Sequence, residues 1–144
     1  MLPVSYRTPT PADHPFIYST WLKSYRHSDW ARNMSNDTFF FHHKQIIEAI
    51  LECPTTKITL ICDQEDPDQL YGYCVARELS DKAVIHFCYV KYNFRKLGLM
   101  KQLVENAGYF SKSITFITHI PRNYADLKAK WNLEYNPYLL GDIS

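Results

Sequence analysis

Two stretches near the start of the chain repeat their apolar residues at helical spacing. Tyr18, Trp21, Leu22 and Tyr25 form the first stripe. Thr10-Pro11-Ala12-Asp13 stands just before it. Thr10 suits an N-cap, Pro11 the first helical position and Asp13 the acid of a capping box. The second stripe is Ile46, Ile47, Ile50 and Leu51, and it predicts a helix from about His42 to Cys53 that Pro54 stops. The period then changes to that of strands. Lys57 to Cys62, Leu70 to Glu78 and Ala83 to Val90 are rich in β-branched and apolar residues. Gln64 to Gln69 and Ser80-Asp81-Lys82 are turns by composition. Connections this short make the three strands antiparallel neighbours, because a parallel pair needs a crossover.

Helical spacing returns at Leu99, Met100, Leu103, Val104 and Ala107, predicting a helix from about Gly98. A strand follows over Ile114 to His119, then a short helix over Asn123 to Trp131 and a last strand over Leu133 to Leu140, which Pro137 confines to an edge. Strand, helix and strand in that order predict a parallel crossover. The expected fold class is therefore α+β: one domain over residues 1–144, a mixed sheet with helices on its faces.

Composition narrows the function more than the fold. The 16 basic residues nearly cancel the 15 acidic ones, so the net charge is +1, a poor basis for gripping a nucleic-acid backbone over a broad face. No apolar run approaches the roughly 20 residues that span a bilayer. Met1 to Thr10 lacks the apolar core of an export signal. Cys53, Cys62, Cys74 and Cys88 form no C-x-x-C pair, and three of them fall in strand-like runs. They read as reduced, mostly buried thiols, which predicts a cytoplasmic protein with no metal site.

Chemistry concentrates where the third strand passes into the third helix, Val84 to Met100. A helix start has unpaired N–H groups and the positive end of the helix dipole, and so receives phosphate well. Gly98 lets backbone approach a ligand closely, and Lys91, Arg95, Lys96 and Lys101 surround it with positive charge. Arg95-Lys96-Leu97-Gly98-Leu99-Met100 resembles the R/Q-x-x-G-x-G/A signature of the GNAT superfamily of N-acetyltransferases, and the order of elements resembles that fold over most of the chain. The chain departs from the signature at Met100, where small residues are usual and a methionine narrows the loop. Ser19 to Arg26, Thr118-His119 and Tyr135 to Tyr138 also look like segments of small GNAT-like proteins encoded by bacteriophages, which would place the chain in a host cytoplasm.

The resemblance implies acetyl-coenzyme A as cofactor and an amine acceptor, either a small molecule or a protein lysine. The strand before the motif and the parallel strand after the helix would splay apart to take the pantetheine arm. Tyr89, Val90, Arg95, Lys96, Leu97, Gly98, Leu99, Met100 and Asn123 are the implied cofactor contacts. Some relatives carry a glutamate base at the place held here by Val84. His86, two residues further along the strand, is the expected replacement on the same face, since an imidazole titrates near neutrality. His119 ends the next strand near the expected splay, and Tyr124 stands one turn before the tyrosine that relatives use as general acid. Tyr25 and Arg26 would border the acceptor groove. Phe39-Phe40-Phe41-His42-His43 reads as an aromatic helix start packed on the sheet. A free sheet edge could also support a homodimer. The rival expectation is a GNAT-fold protein without turnover that acts through protein contacts in a phage–host or virion setting.

Overall fold

The computed structural model describes residues 2–28, 31–79, 82–106, 114–119, 124–130 and 132–140. In chain order the elements are β1 (Val4–Arg7), α1 (His14–Arg26), α2 (Asn36–Glu52), β2 (Lys57–Asp63), β3 (Leu70–Leu79), β4 (Lys82–Val90), α3 (Leu99–Asn106), β5 (Ile114–Ile117), α4 (Tyr124–Lys130) and β6 (Leu133–Tyr135). The described strands form a six-stranded sheet in the order β1-β2-β3-β4-β5-β6. The first four are antiparallel neighbours. β4–β5 and β5–β6 are parallel, with α3 and α4 in the intervening connections. This is the expected mixed sheet, with one more strand than the pattern predicts.

Period-2 alternation divides the core between the two faces. Leu60, Tyr73 and Val75 point toward α1 and α2, where they meet Ile17, Trp21, Tyr25, Phe39, Ile47 and Ile50. Their neighbours Ile61, Cys74 and Ala76 point the other way, toward Leu99, Leu103 and Val104 of α3. The helices thus cover opposite faces, and α3 is fixed to the sheet by the first residue of its own first turn. Among the described residues no helix is long and apolar enough to cross a membrane.

Several boundaries differ from the sequence pattern, each for a local reason. β1 carries too few residues to show periodicity and is specified by pairing, from Val4 opposite Asp63 to Arg7 opposite Leu60. α2 starts at Asn36, ahead of the predicted His42, because the Ser35 hydroxyl accepts the Thr38 N–H at 3.2 Å. The three phenylalanines therefore lie inside the helix: Phe39 is fully buried while Phe41 is 65% exposed. β5 stops at Ile117 rather than His119, and the last strand stops at Tyr135 before a 3-10 turn over Pro137–Leu140.

The capping acid also ties the edge strand to the helix. Asp13 accepts the Thr10 N–H at 2.7 Å, the Thr10 hydroxyl at 3.1 Å and the Arg7 guanidinium at 2.8 and 3.2 Å. The Arg7 bonds, helped by those from Thr10, outweigh burial and hold its carboxyl at about 2. Asp13→Ala should cost about 1 to 2 kcal/mol at pH 7. Because the folded pKa lies below the unfolded one, this difference is present above pH 3.8 and lost as pH falls toward 2. Urea unfolding of both proteins at pH 7 and pH 3 checks the size and the sign.

Two irregularities in the sheet shape β4. Val75 pairs with Phe87 and Ala76 with Ile85, so His86 is an extra residue with no partner in β3. The bulge reverses the alternation. Ala83 and Ile85 face α3 before it, yet Cys88 and Val90 face α3 after it, while Phe87 and Tyr89 turn toward α1 and α2. Near the other end of the pairing, Gly72 passes so close to β4 that a Cβ there would run into the Tyr89 carbonyl oxygen.

Candidate active site

Beyond β4 the chain makes one 3-10 turn, Tyr92–Phe94, then an extended Arg95. Lys96 and Gly98 follow with φ of 68° and 74°, both in the left-handed region. Gly98 occupies it at no steric cost, and nothing stands within 4 Å of where its Cβ would be. The backbone is therefore open to a ligand there, immediately before the free N–H groups of the first turn of α3. Leu99 is buried and anchors that turn, Leu97 is 53% exposed, and Met100 is half-buried. Arg95 straps the loop to the strand: its Nε donates to the Val90 carbonyl at 2.8 Å, and its guanidinium lies 5.7 Å from the ring centroids of Tyr89 and Tyr92.

The expected splay lies beside this loop. β4 and β5 pair from Lys82 opposite Ile114 to Ile85 opposite Ile117. One more contact, the Thr118 N–H to the Ile85 carbonyl at 3.3 Å, closes the pairing. From His86 to Val90 no described strand covers the outer edge of β4. Hydrogen-bonding direction alternates along an antiparallel strand. The Lys91 N–H donates to the Tyr71 carbonyl at 2.8 Å, so residues 89 and 87 also direct their backbone groups toward β3. Cys88 and Val90 therefore direct theirs outward, along the edge that leads to the Gly98 loop.

At the point of divergence, aromatic and imidazole rings meet. The Tyr25 hydroxyl donates to the His86 carbonyl at 2.8 Å, which pairs the carbonyl of the bulge residue. The His119 ring lies 4.3 Å from the Tyr25 ring, tilted by 31°. His86 Nδ1 is 3.4 Å from the Thr118 hydroxyl, while Nε2 is buried and has no hydrogen-bond partner among the described residues. His43 of α2 stacks on Phe39 at 4.6 Å and meets Tyr25 edge-on at 6.1 Å. Burial pushes His86 down to about 4, with the nearby Arg77 adding to it. Burial, then His43, does the same to His119. Burial also lowers His43.

These positions change several assignments. His86 and His119 are neutral at pH 7, each offering one N–H and one lone pair, and are too weakly basic to hold a proton there. The bulge places His86 in the wall of the divergence, outside the plain alternation with Val84. Tyr25 is only 1% exposed, so it supports the site from beneath and does not border a groove. Removing its hydroxyl with Tyr25→Phe should cost about 1 to 3 kcal/mol, because the bulge carbonyl is left unpaired; denaturant unfolding measures it. Arg26 is committed to the α1–α2 connection. Its Nε donates to Asn36 at 2.8 Å, and its Nη1 and Nη2 donate to the carbonyls of Ala31 and Met34 at 2.9 and 3.2 Å. Tyr124 opens α4, and Asn123 lies outside the described residues.

The sequence names Thr118 only within a family-like segment and His43 only within an aromatic helix start, with no site role for either. Thr118 shows no pattern, since its role comes from β5 ending one residue earlier. His43 was legible in principle, because Phe39, His43 and Ile47 recur every four residues on one helix face. Elsewhere, a shallow groove of about 410 Å³ lies at the opposite end of the strands, lined by Thr8, His14, Leu51, Lys57 and Glu78 among others.

No protein-family model matches the chain, and no curated protein sequence is similar to it. Solved structures are similar in fold. A protein from Pyrococcus furiosus named as a candidate acetyl transferase superposes with a TM-score of 0.65 at 15% identity, covering 88% of this chain and 89% of that one. The PaiA N-acetyltransferase of Thermoplasma acidophilum, solved with coenzyme A, gives a TM-score of 0.51 at 13% identity over 74% of this chain and 70% of that one. An aminoglycoside acetyltransferase from an uncultured soil sample, solved with trehalose, gives 0.53 at 14% identity over 88% and 84%. The mixed sheet with helices on its faces is the fold that this chain shares with these solved structures.

Proposed function

We propose that this protein is an acetyl-coenzyme A-dependent N-acetyltransferase that acts on a primary amine. The observation that carries the reading is the open outer edge of β4 running from the His86 bulge to the Gly98 loop. The residues present fit coenzyme A. The open backbone beside Gly98 and the first-turn N–H groups of α3 would hold the diphosphate, with Lys96, Leu97, Leu99 and Met100 shaping the loop around it. The outward backbone groups of Cys88 and the outward N–H of Val90, whose carbonyl already accepts from Arg95, would take the amides of the pantetheine arm as an added strand would, with Tyr89 flanking them. When bound, the thioester supplies an activated acetyl group.

The chain's own contribution is placement and hydrogen bonding. Among the described residues, His86 Nε2 is a buried polar atom of the bulge with no hydrogen-bond partner, and it would serve a reacting group. As a neutral imidazole it orients a carbonyl or an amine and does not store the proton. The proton released by the amine passes to water in the cleft. His119, beside the Tyr25 ring at the end of β5, would stand next to the reacting groups. The acceptor class covers small amines and protein lysines, since near-neutral charge favours neither.

Acetyl-coenzyme A consumption across an amine panel tests the reading. Turnover with at least one amine, lost in Gly98→Glu and reduced at least tenfold in His86→Leu, is the expected result. Coenzyme A binding without turnover on any amine would leave a protein acting through contacts, the GNAT-like rival of phage–host or virion setting. No binding at millimolar coenzyme A would contradict the proposal altogether.

A further inference from the structure

Cys74 and Cys88 stand directly opposite each other in the β3–β4 ladder. Tyr71 and Lys91 are joined by a ladder hydrogen bond, and such pairs alternate, so Cys74 and Cys88 form a non-hydrogen-bonded pair. The Cα atoms of such a pair are about 4.5 Å apart, with their side chains drawn together. That is the near end of the range a disulfide bridges, roughly 4.4 to 6.8 Å. Both side chains point to the α3 face. Cys74 is buried, and its hydrogen bond to Cys88, together with burial, raises its thiol well above the usual range. Cys88 is half-buried and reachable, on the segment of β4 whose outer edge no described strand covers. The other two cysteines have other surroundings. Cys62 lies 3.4 Å from the Ser5 hydroxyl, and Cys53 lies 3.2 Å from that of Thr55.

We propose that Cys74 and Cys88 are a modification site, a reversible dithiol–disulfide pair oxidised by hydroperoxides, with Cys88 attacking and Cys74 resolving. In the first step the Cys88 sulfur attacks the O–O bond of the peroxide. An S–O bond forms, the O–O bond breaks, and the departing oxygen leaves as an alcohol or water carrying the thiol proton. In the second step the Cys74 sulfur attacks the resulting sulfenic acid. The S–S bond forms, the S–O bond breaks, and hydroxide leaves as water with the Cys74 proton. The two thiols lose two electrons and the peroxide gains them. The pair depends only on the ladder and stands whether or not the cleft takes coenzyme A.

The test treats the native full-length protein with hydrogen peroxide at pH 7.5 and then maps its peptides. Loss of two titratable thiols, a mass lower by two hydrogens, a Cys74–Cys88 cross-linked peptide and full recovery with dithiothreitol are expected. Cys74→Ser should divert Cys88 to forms carrying two or three added oxygens, because nothing resolves the sulfenic acid. A wild-type protein in which Cys88 gains oxygens while Cys74 remains a thiol would overturn the proposal. So would a disulfide that pairs either residue with Cys53 or Cys62.

Discussion

Acidification from pH 7 to pH 4 should cost the fold about 3 kcal/mol through His86 alone. The imidazole sits in the bulge, buried, with the Arg77 guanidinium nearby, and its folded pKa is about 4 against 6.5 unfolded. The unfolded chain therefore binds the proton first. Stability is fully present above pH 6.5 and is lost progressively as pH falls toward 4. His119, also held at about 4 and facing His43, adds a loss over the same window. A few kcal/mol is a large share of the 5 to 15 kcal/mol that stabilises an ordinary domain. Urea unfolding at several pH values, compared between wild type and His86→Gln, isolates the effect, because the carboxylates titrate alike in both. The difference in stability between the two proteins should shift by about 3 kcal/mol in favour of the variant between pH 7 and pH 4. Parallel curves would mean that His86 is not held neutral.

Gly98→Glu should abolish stabilisation by coenzyme A while leaving the protein folded. Ligand at 100 times its dissociation constant raises stability by about 2.7 kcal/mol, which appears as a rise of several degrees in Tm. Two effects must be separated at this position. Any residue other than glycine at φ 74° pays roughly 1 to 2 kcal/mol for the left-handed conformation. Glutamate further places a carboxylate where a diphosphate would lie. Gly98→Ala carries the first effect alone, since nothing within 4 Å obstructs its methyl group. The alanine variant should melt lower than wild type yet still gain with coenzyme A, whereas the glutamate variant should show no gain. Equal gains in all three proteins would move the ligand away from this loop.

Much of this architecture was written in local patterns. Thr10, Pro11 and Asp13 marked the start of the first helix, Pro54 the end of the second, and the change of period the strands of the meander. What escaped depended on residues distant in sequence. β1 exists through its pairing with β2, and its four residues carry no periodicity of their own. The bulge escaped because Val84 to Val90 is apolar toward both faces, so a reversal of alternation leaves no trace in composition. The acidity of His86 escaped with it, since that depends on enclosure by Thr118, Tyr25 and Arg77 from three other elements. Tyr25 is the instructive case. Ile17, Trp21 and Tyr25 recur every four residues, and that spacing alone assigns Tyr25 to the core face, yet its place at a helix end suggested a groove.

The central claim is that the uncovered edge of β4 and the Gly98 loop form one coenzyme A cleft. Titration of isotopically labelled protein with free coenzyme A, followed through its backbone amide resonances, tests it residue by residue. Saturable shifts at Cys88 and Val90 together with Leu97 through Lys101 are the predicted result, with the amides of Phe87 and Tyr89, bonded to β3, moving less. No shift at millimolar coenzyme A, or shifts confined to the groove around His14 and Leu51, would contradict it.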